Sequence, residues 1–547
     1  MRFKSTTVDG FQVFAVSGIN TVSFAVRATA AAQKKLLGFA VERSEDGGPR
    51  KRMRGYKVFK SIIPNPDEST EVSTWDHPVQ SFVWDDFTAK PNTRYDYYFH
   101  PLRGTPAALD RTAPEVPIAI RTEREFSDEA HDVFFNRGVA SSQLYAKIYK
   151  NKRPDQLSPA RRKAALQWLT RDLDEAIVRF IESATSKDTL LCCFYEFHYA
   201  PMLDALKGAI DRGVKVEIIV DAKVNEYTDS KGKFHASFPR EDNLKAIDEA
   251  GIKKTHIIER DANPSDIQHC KFMVLLKGKT PTEVWTGSTN ISLGGFTGQT
   301  NVGHWVRSKP VAKAYEAYWQ LLATNPGSRK GDSRSDAAKA KKAFRAAVEK
   351  LGTLPASKGA IPKGVTPVFS PRGSLKALDL YIALADSAQS AACMTLAFGI
   401  NAALKKALVD NTSANHIVFL LLEKKDAPAK NSTKPFVAIN AKNNVYKAWG
   451  AFLKDPVYQW VRETNARALK FNSHVSYIHS KFLLVDPLGA DPIVVTGSAN
   501  FSEASTTDND ENMLIIRGSR RAADIYFTEF NRLFNHYYFR AVQEDTR

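Results

Sequence analysis

His479-Ser480-Lys481, then Asp486, then Gly497-Ser498-Ala499-Asn500 is the stretch that decides the reading of this chain. Within one predicted strand-turn-strand it gathers an imidazole, an ammonium, a hydroxyl and an amide. That set suits a phosphodiester, which needs a nucleophile or acid together with neutral and cationic donors for its phosphoryl oxygens. A weaker copy stands 210 residues upstream: His269-Cys270-Lys271, followed by Gly287-Ser288-Thr289-Asn290. In both copies the Gly-Ser pair begins 18 residues after the histidine, so the chain carries two matched half-sites.

Around these motifs the periodicity changes once. Residues 1–124 alternate with period two at Gln12–Val16, Val22–Val26, Leu37–Val41, Tyr56–Ile62, Ser81–Trp84, Tyr95–Phe99 and Ile118–Ile120, with Gly, Pro, Asp and Asn turns between. Seven short strands predict a two-sheet sandwich. From about residue 125 the pattern is helical at Phe126–Tyr149 and Pro159–Thr185. A strand at Leu190–Tyr195, a helix at Pro201–Arg212 stopped by Gly213, and a strand at Val214–Val220 then make a βαβ unit. The plan repeats as Val368–Phe369, helix Ser374–Ser387, strand Ala392–Phe398, helix Asn401–Asp410 and strand His416–Leu422. The expected divisions are a sandwich over 1–124, a first half over 125–325, a connector over 326–357 and a second half over 358–547. In the connector, Lys and Arg spread through Ala337–Lys350 read as a solvated helix face, with a nucleic-acid stripe as the alternative.

The paired motifs resemble those of the phospholipase D-like superfamily, whose members hydrolyse or transfer phosphodiesters in lipids or nucleic acids. The likeness covers roughly residues 125–547. It is close in the second copy, where Asn509 and Glu511 stand at the family's Asn-x-Glu and residues 523–534 resemble its closing helix. The stretch from Phe82-Val83-Trp84 to Tyr95-Asp96-Tyr97-Tyr98 is similar to fibronectin type III-like modules. The resemblance implies an α/β fold: two pseudo-symmetric α-β-α halves about one catalytic cleft, preceded by the all-β sandwich. It also implies catalytic roles for His479, His269, Lys481 and Lys271, phosphate contacts from Ser498, Asn500, Ser288 and Asn290, a supporting role for Asp486, and a covalent phosphohistidine. Neither metal nor cofactor is expected.

The first copy departs twice from that pattern. Leu276 stands where the aspartate is expected. Asn301-Val302-Gly303 aligns with Asn509-Asp510-Glu511 only with two extra residues before it, and Gly303 then replaces the glutamate. A nucleophilic imidazole must present an unprotonated nitrogen, so its other nitrogen should donate to an acceptor. On this reading Glu511 orients His479, which becomes the nucleophile, and His269 the general acid. Glu196 is a candidate substitute carboxylate for the first half. His198, His304, His416 and His474 have no motif around them, His304 being the one nearest the degenerate site.

Composition narrows the substrate. A hydrophobic fraction of 43% with 25% charged residues is that of a globular protein, and no apolar run reaches the ~18–20 residues of a membrane span. The four cysteines (Cys192, Cys193, Cys270, Cys393) lack the spacing of a disulfide framework or a zinc site, and the N-terminal stretch has no apolar signal core, so a cytoplasmic setting is expected. A net charge of +17 favours a polyanion, because each lysine or arginine that contacts a phosphate releases counterions. The expected function is therefore a metal-independent nuclease, with DNA ahead of RNA. Two alternatives stay open. One is a phospholipase D or phosphatidyltransferase on membrane lipid, with Phe194, Tyr199, Phe296 and Trp305 as a candidate apolar rim. The other is a non-catalytic nucleic-acid binder.

Overall fold

The computed structural model describes residues 1–55, 57–66, 70–138, 145, 148–150, 152, 154–230, 232–411, 416–428, 436–450 and 478–545. They divide into two compact units, residues 1–127 with 520–533 and residues 128–519 with 534–547.

In the first unit, Arg2–Lys4, Phe11–Ser17, Val22–Ala28 and Val83–Asp86 form one antiparallel sheet in that spatial order. Lys51–Arg52, Gly38–Glu45 and Arg94–Thr105 form the other, with Ala108–Asp110 and Val116–Arg121 both paired to Arg94–Thr105. Strict alternation of buried and less buried residues along Phe11–Ser17 and Val116–Arg121 sends Phe11, Val13, Ile118 and Ile120 into a core with Phe24, Val41, Tyr95, Tyr97 and Phe99. The strand expected at Tyr56–Ile62 does not form. Tyr56 lies outside the described residues, and a turn closed by Ile62 N donating to Phe59 O (2.9 Å) takes the rest. Residues 520–533 pack with this unit: Arg2 Nε donates to Asp524 (2.8 Å) and Arg521 Nε to Glu123 (3.1 Å).

The second unit holds two seven-stranded mixed sheets of identical plan. The first runs His131–Phe135, Val302–Arg307, Thr280–Gly287, Lys271–Lys277, Thr189–Phe194, Lys215–Asp221, Ile257–Arg260. The second runs Gly364–Ser370, Glu511–Arg517, Ile493–Gly497, Phe482–Val485, Ala391–Leu396, Ile417–Leu422, Val445–Trp449. In each, the last three strands are parallel and the rest antiparallel. The duplication is thus carried strand for strand. The helix expected over Phe126–Tyr149 is interrupted by the strand His131–Phe135. All five of its residues are buried, so its apolar run has no period-two signature to separate it from a helix. Residues 139–144 and 146–147 of that expected helix lie outside the described residues.

Two glycines show why the motif starts as it does. Gly287 (φ +143°) and Gly497 (φ +157°) end equivalent strands, where a Cβ would collide with the carbonyl oxygens of Val302 and Asn512 on the neighbouring strand. Only glycine allows that approach, and it brings the following serine against the strands Val302–Arg307 and Glu511–Arg517.

The missing first-half aspartate has a physical substitute. Asp486 receives the backbone N–H groups of Gln389 (2.8 Å) and Ser390 (2.7 Å) and the Lys358 ammonium (3.2 Å), so it closes the turn into Ala391–Leu396. By sheet register Leu276 occupies the equivalent place. Its turn is closed from the other side by Asp188, which accepts from Thr185 N (2.8 Å), Gly278 N (3.0 Å) and Lys277 Nζ (3.2 Å). Burial pushes the Asp188 carboxyl up, but these amides outweigh it and hold the group down to about 2. Replacing either aspartate by alanine should destabilise the second unit by about 1–3 kcal/mol in denaturant unfolding at pH 7. For Asp188→Ala the loss should shrink as the pH falls from about 4 towards 2, because a depressed carboxylate stabilises only above its unfolded pKa. Unchanged midpoints for both variants would show that these turns do not depend on their carboxylates.

Candidate active site

Each histidine motif begins where its strand enters the sheet, and each is completed by the opposite half. His269 N donates to Asp510 O (2.9 Å) and His479 N to Thr300 O (3.3 Å), so the backbone just before the last strand of one half lies along the histidine loop of the other. The side chains follow the same exchange. His269 Nδ1 is 3.0 Å from both Glu511 carboxylate oxygens, and His479 Nδ1 is 2.9 Å from Asn301 Oδ1. The rings face each other with centroids 6.4 Å apart and planes at 76°.

This geometry corrects two expectations. Glu511 orients His269, not the histidine of its own half. Gly303 is not the counterpart of Glu511 either. Ser288 N donates to Val302 O and Ser498 N to Asn512 O, 14 residues apart in both halves, which makes Asn301 the counterpart and removes the supposed two-residue insertion. Matching Asn301 to Asn509 by residue type hides this; the spacing from each Gly-Ser reveals it.

Asn301 is held in one orientation. Its Nδ2 donates to Gly295 O (2.8 Å), and its Oδ1 accepts from Ser288 Oγ (2.8 Å). The oxygen therefore faces His479, whose Nδ1 must carry a hydrogen. A carboxylate on His269 has the same effect, so both Nε2 atoms are left for chemistry. Ser288 is thus occupied by Asn301, and the Ser498 hydroxyl by the backbone of Asn512, whose N–H it accepts at 2.9 Å. Lys271 and Lys481 each donate to the carbonyl oxygen of the histidine two residues before (2.6 and 2.5 Å), which aligns the two ammonium groups with the histidine loops. Asn290 Nδ2 donates to Glu196 (2.8 Å), while Asn290 Oδ1 and Asn500 Oδ1 are buried without a hydrogen-bond partner among the described residues. Glu196 accordingly orients Asn290 rather than a catalytic histidine.

A further matched pair of carboxylates carries no motif in the sequence. Asp221 Oδ2 accepts from Gln268 N (3.0 Å) and Glu423 Oε2 from Ile478 N (2.7 Å), each anchoring the residue before its histidine. Among the other histidines, His304 Nε2 lies 3.0 Å from His131 Nδ1 in the core, His198 Nε2 lies 4.0 Å from Glu196 Oε2, the buried His416 Nε2 has no hydrogen-bond partner among the described residues, and His474 lies outside them.

His269, His479, Lys271 and Lys481 are all buried. Burial, reinforced by the two ammonium groups, pulls both histidines well below their ordinary range. Burial also lowers Lys271 to about 8 and Lys481 well below its usual value, and raises Glu511 to about 7. Four groups that favour an anion are packed together with their protons loosely held, an arrangement relieved by a bound phosphodiester. For metals, one group among the described residues has suitable atoms: Glu42, His100 and Glu115 in the first unit, where the Arg50 guanidinium already pairs with Glu115 at 2.8 Å.

Residues 177–322 and 381–534 match the family described as "Cardiolipin synthase, PLD-like domain", which is more than half of the chain. The chain belongs to the phospholipase D-like family. No curated protein sequence matches it significantly. Among solved structures, phosphatidylserine synthase of Haemophilus influenzae Rd KW20 is similar over 67% of this chain and 85% of its own, at 11% identity and TM-score 0.42. The yeast tyrosyl-DNA phosphodiesterase aligns over 62% and 86%, at 12% identity and TM-score 0.28. The phospholipase D family member Nuc from Salmonella typhimurium aligns over 26% and 82%, at 23% identity and TM-score 0.21. The chain spans 46% of the polyphosphate kinase from Porphyromonas gingivalis to which it is also similar. At these identities and scores, the choice of substrate rests on this chain's own residues.

The phospholipase D-like site makes opposite predictions for the two first-half positions. Gly303→Glu, the apparent repair of the motif, should unfold or strongly destabilise the unit, because even a Cβ there meets the Trp285 ring and Leu173 Cδ1 (2.6 Å). Asn301→Asp should fold and give His479 a carboxylate partner, raising its pKa. Thermal unfolding and the pH dependence of kcat read these two changes. A well-folded Gly303→Glu chain would mean the register described above is wrong.

Proposed function

We propose that the chain is a metal-independent nuclease in which His269 is the nucleophile and His479 the general acid. The observation that carries this reading is the crossed, unequal pairing: a carboxylate on His269 Nδ1 and a neutral amide on His479 Nδ1. Only the first partner gains energy as positive charge develops on its imidazole, so His269 is the better nucleophile.

In the reaction, His269 Nε2 attacks phosphorus in line, and the P–O bond to the leaving alcohol breaks. The leaving oxygen takes the proton of His479 Nε2. Water then attacks the phosphohistidine and gives a proton to His479 Nε2; the P–N bond breaks and its electron pair returns to His269. Lys271, Lys481, Asn290 and Asn500 hold the non-bridging oxygens as charge develops on them. The substrate's negative charge also offsets the field of the two lysines, which lets His479 carry its proton in the complex.

Three features favour nucleic acid over lipid. The net charge is +17. Phe194, Tyr199, Phe296 and Trp305, the candidate apolar rim, are all buried. Tyr227 and Phe234, on the strand pair that follows Lys215–Asp221 in sequence, and Phe398, two residues past Ala391–Leu396, expose more than half of their surface (59%, 62% and 58%), and exposed rings of this kind stack on bases. Among the described residues no helix is long and apolar enough to cross a membrane. The four cysteines, all buried free thiols, fit the cytoplasmic setting we propose.

Turnover in EDTA on plasmid DNA, single-stranded DNA, RNA and phosphatidylcholine vesicles tests this reading. Nucleic-acid cleavage should persist in EDTA, vanish in His269→Ala and fall roughly 10²–10⁴-fold in His479→Ala. With a 4-nitrophenyl ester, whose leaving group needs no acid, His479→Ala should accumulate the phosphoenzyme. Because free His479 gives up its proton well below the ordinary imidazole range while Glu511 ionises near pH 7, the kcat/KM profile of the native chain should be flat between the two and fall as the pH rises above 7, more steeply once Lys271 loses its proton near pH 8. Cleavage of the vesicles alone would make the substrate a lipid, and a phosphoenzyme formed in His269→Ala would reverse the histidine roles.

A further inference from the structure

Arg260 is among the largest wholly buried side chains of the protein. It ends the strand Ile257–Arg260 of the first half, and its guanidinium grips Asp510 of the second half in two-pronged fashion, Nε to Oδ2 at 2.9 Å and Nη2 to Oδ1 at 3.3 Å. Nη1 is held by Asn325 Oδ1 (2.9 Å) and Pro326 O (2.6 Å), and the group lies 5.2 Å from the Phe344 ring centroid. All three of its nitrogens are thereby directed.

Asp510 is the residue that joins the two parts of the His269 dyad. Its carbonyl accepts from His269 N (2.9 Å), its N–H donates to Ile267 O (3.0 Å), and the next residue is Glu511. A shift of Asp510 therefore moves the histidine loop and its carboxylate relative to each other.

The pseudo-symmetry makes the point sharper, because the pair exists on one side only. Sheet register places Gly450 opposite Glu423 as Arg260 stands opposite Asp221, and Thr300 lies along the His479 loop as Asp510 lies along that of His269. Neither counterpart carries a charge. Buried ion pairs of this kind are weak sources of stability, and well-packed apolar replacements are often as stable or more so. Stability alone therefore does not account for this one.

We infer that Arg260 is a positioning residue for the reaction: it fixes Asp510 and so keeps the Glu511 carboxylate in register with His269. The inference rests on the reading of His269 as the nucleophile. It extends that reading to a residue that touches neither substrate nor histidine.

The test uses the full chain with bis(4-nitrophenyl) phosphate, a diester independent of the natural substrate. The variants are Arg260→Lys, the paired Arg260→Met/Asp510→Leu, Glu511→Gln, His269→Ala, and Glu511→Gln added to the pair. The paired variant should fold, with a melting temperature near that of the native chain, yet lose roughly 10–100-fold in kcat with KM little changed. Arg260→Lys should keep an intermediate kcat, since it retains the charge without the two-pronged grip. Because Arg260 acts through Glu511, the losses should not add: the paired change combined with Glu511→Gln should be about as slow as the slower of the two. A folded paired variant with native kcat, or losses that multiply, would overturn the inference. If those results came with His269→Ala inactive, the nucleophile reading would stand while Arg260 fell to a structural role. A native chain silent on this diester would overturn both together.

Discussion

Everything in the second unit is arranged around an exchange of backbone across its midline. The residues that precede the strands Val302–Arg307 and Glu511–Arg517 leave their own half and lie along the histidine loop of the other, with Asp510 against His269 and Thr300 against His479. A half-site of this build holds a histidine and a lysine but no partner for the imidazole. The site becomes complete only when both halves are present, which is a physical reason for two copies of the plan in one chain. The strand order and the glycines that let adjacent strands approach position that exchanged segment, and the carboxylates Asp221 and Glu423 anchor the histidine loops it meets.

The same exchange concentrates charge where water is scarce. Two ammonium groups and two imidazoles are buried together, and burial lowers the proton affinity of each. A bound phosphodiester offsets this crowding of cationic groups. Interactions realised only when the anion arrives, and strongest when its oxygens carry the most charge, are the kind that speed a reaction rather than merely tighten binding.

How much of this is legible in the sequence depends on distance along the chain. The two motifs, their common 18-residue spacing and the repeated βαβ plan are local or periodic signals, and they lead to the family and the two-half fold. The sandwich core is readable for the same reason, from alternation in Phe11–Ser17 and Val116–Arg121. The crossing of Glu511 to His269 has no local signal, because the partners are 242 residues apart and each motif looks self-sufficient. Asn301 is hidden by an alignment on residue type, where geometry conserves spacing. His131–Phe135 reads as helix because a strand buried on both faces has no alternation. Leu276 looks like a defect, yet the turn needs only a carboxylate, and Asp188 supplies it from the neighbouring strand end.

Fusion of the halves also changes what the site can be. Where two identical one-motif chains pair about a true twofold axis, both histidines meet the same partner, and neither is marked as nucleophile by the protein. A duplicated chain can differ at every equivalent position. Here the differences cluster on one side of the cleft: Glu511 against Asn301, Asp510 against Thr300, Arg260 against Gly450. A carboxylate stabilises the imidazolium that forms on nucleophilic attack. An amide fixes the tautomer without raising the basicity of the ring, as suits a group that must give its proton away. Divergence between the copies is therefore better understood as division of labour than as decay. On the proposed assignment the apparently degenerate first motif keeps the nucleophile, and the carboxylate beside it is lent by the intact one.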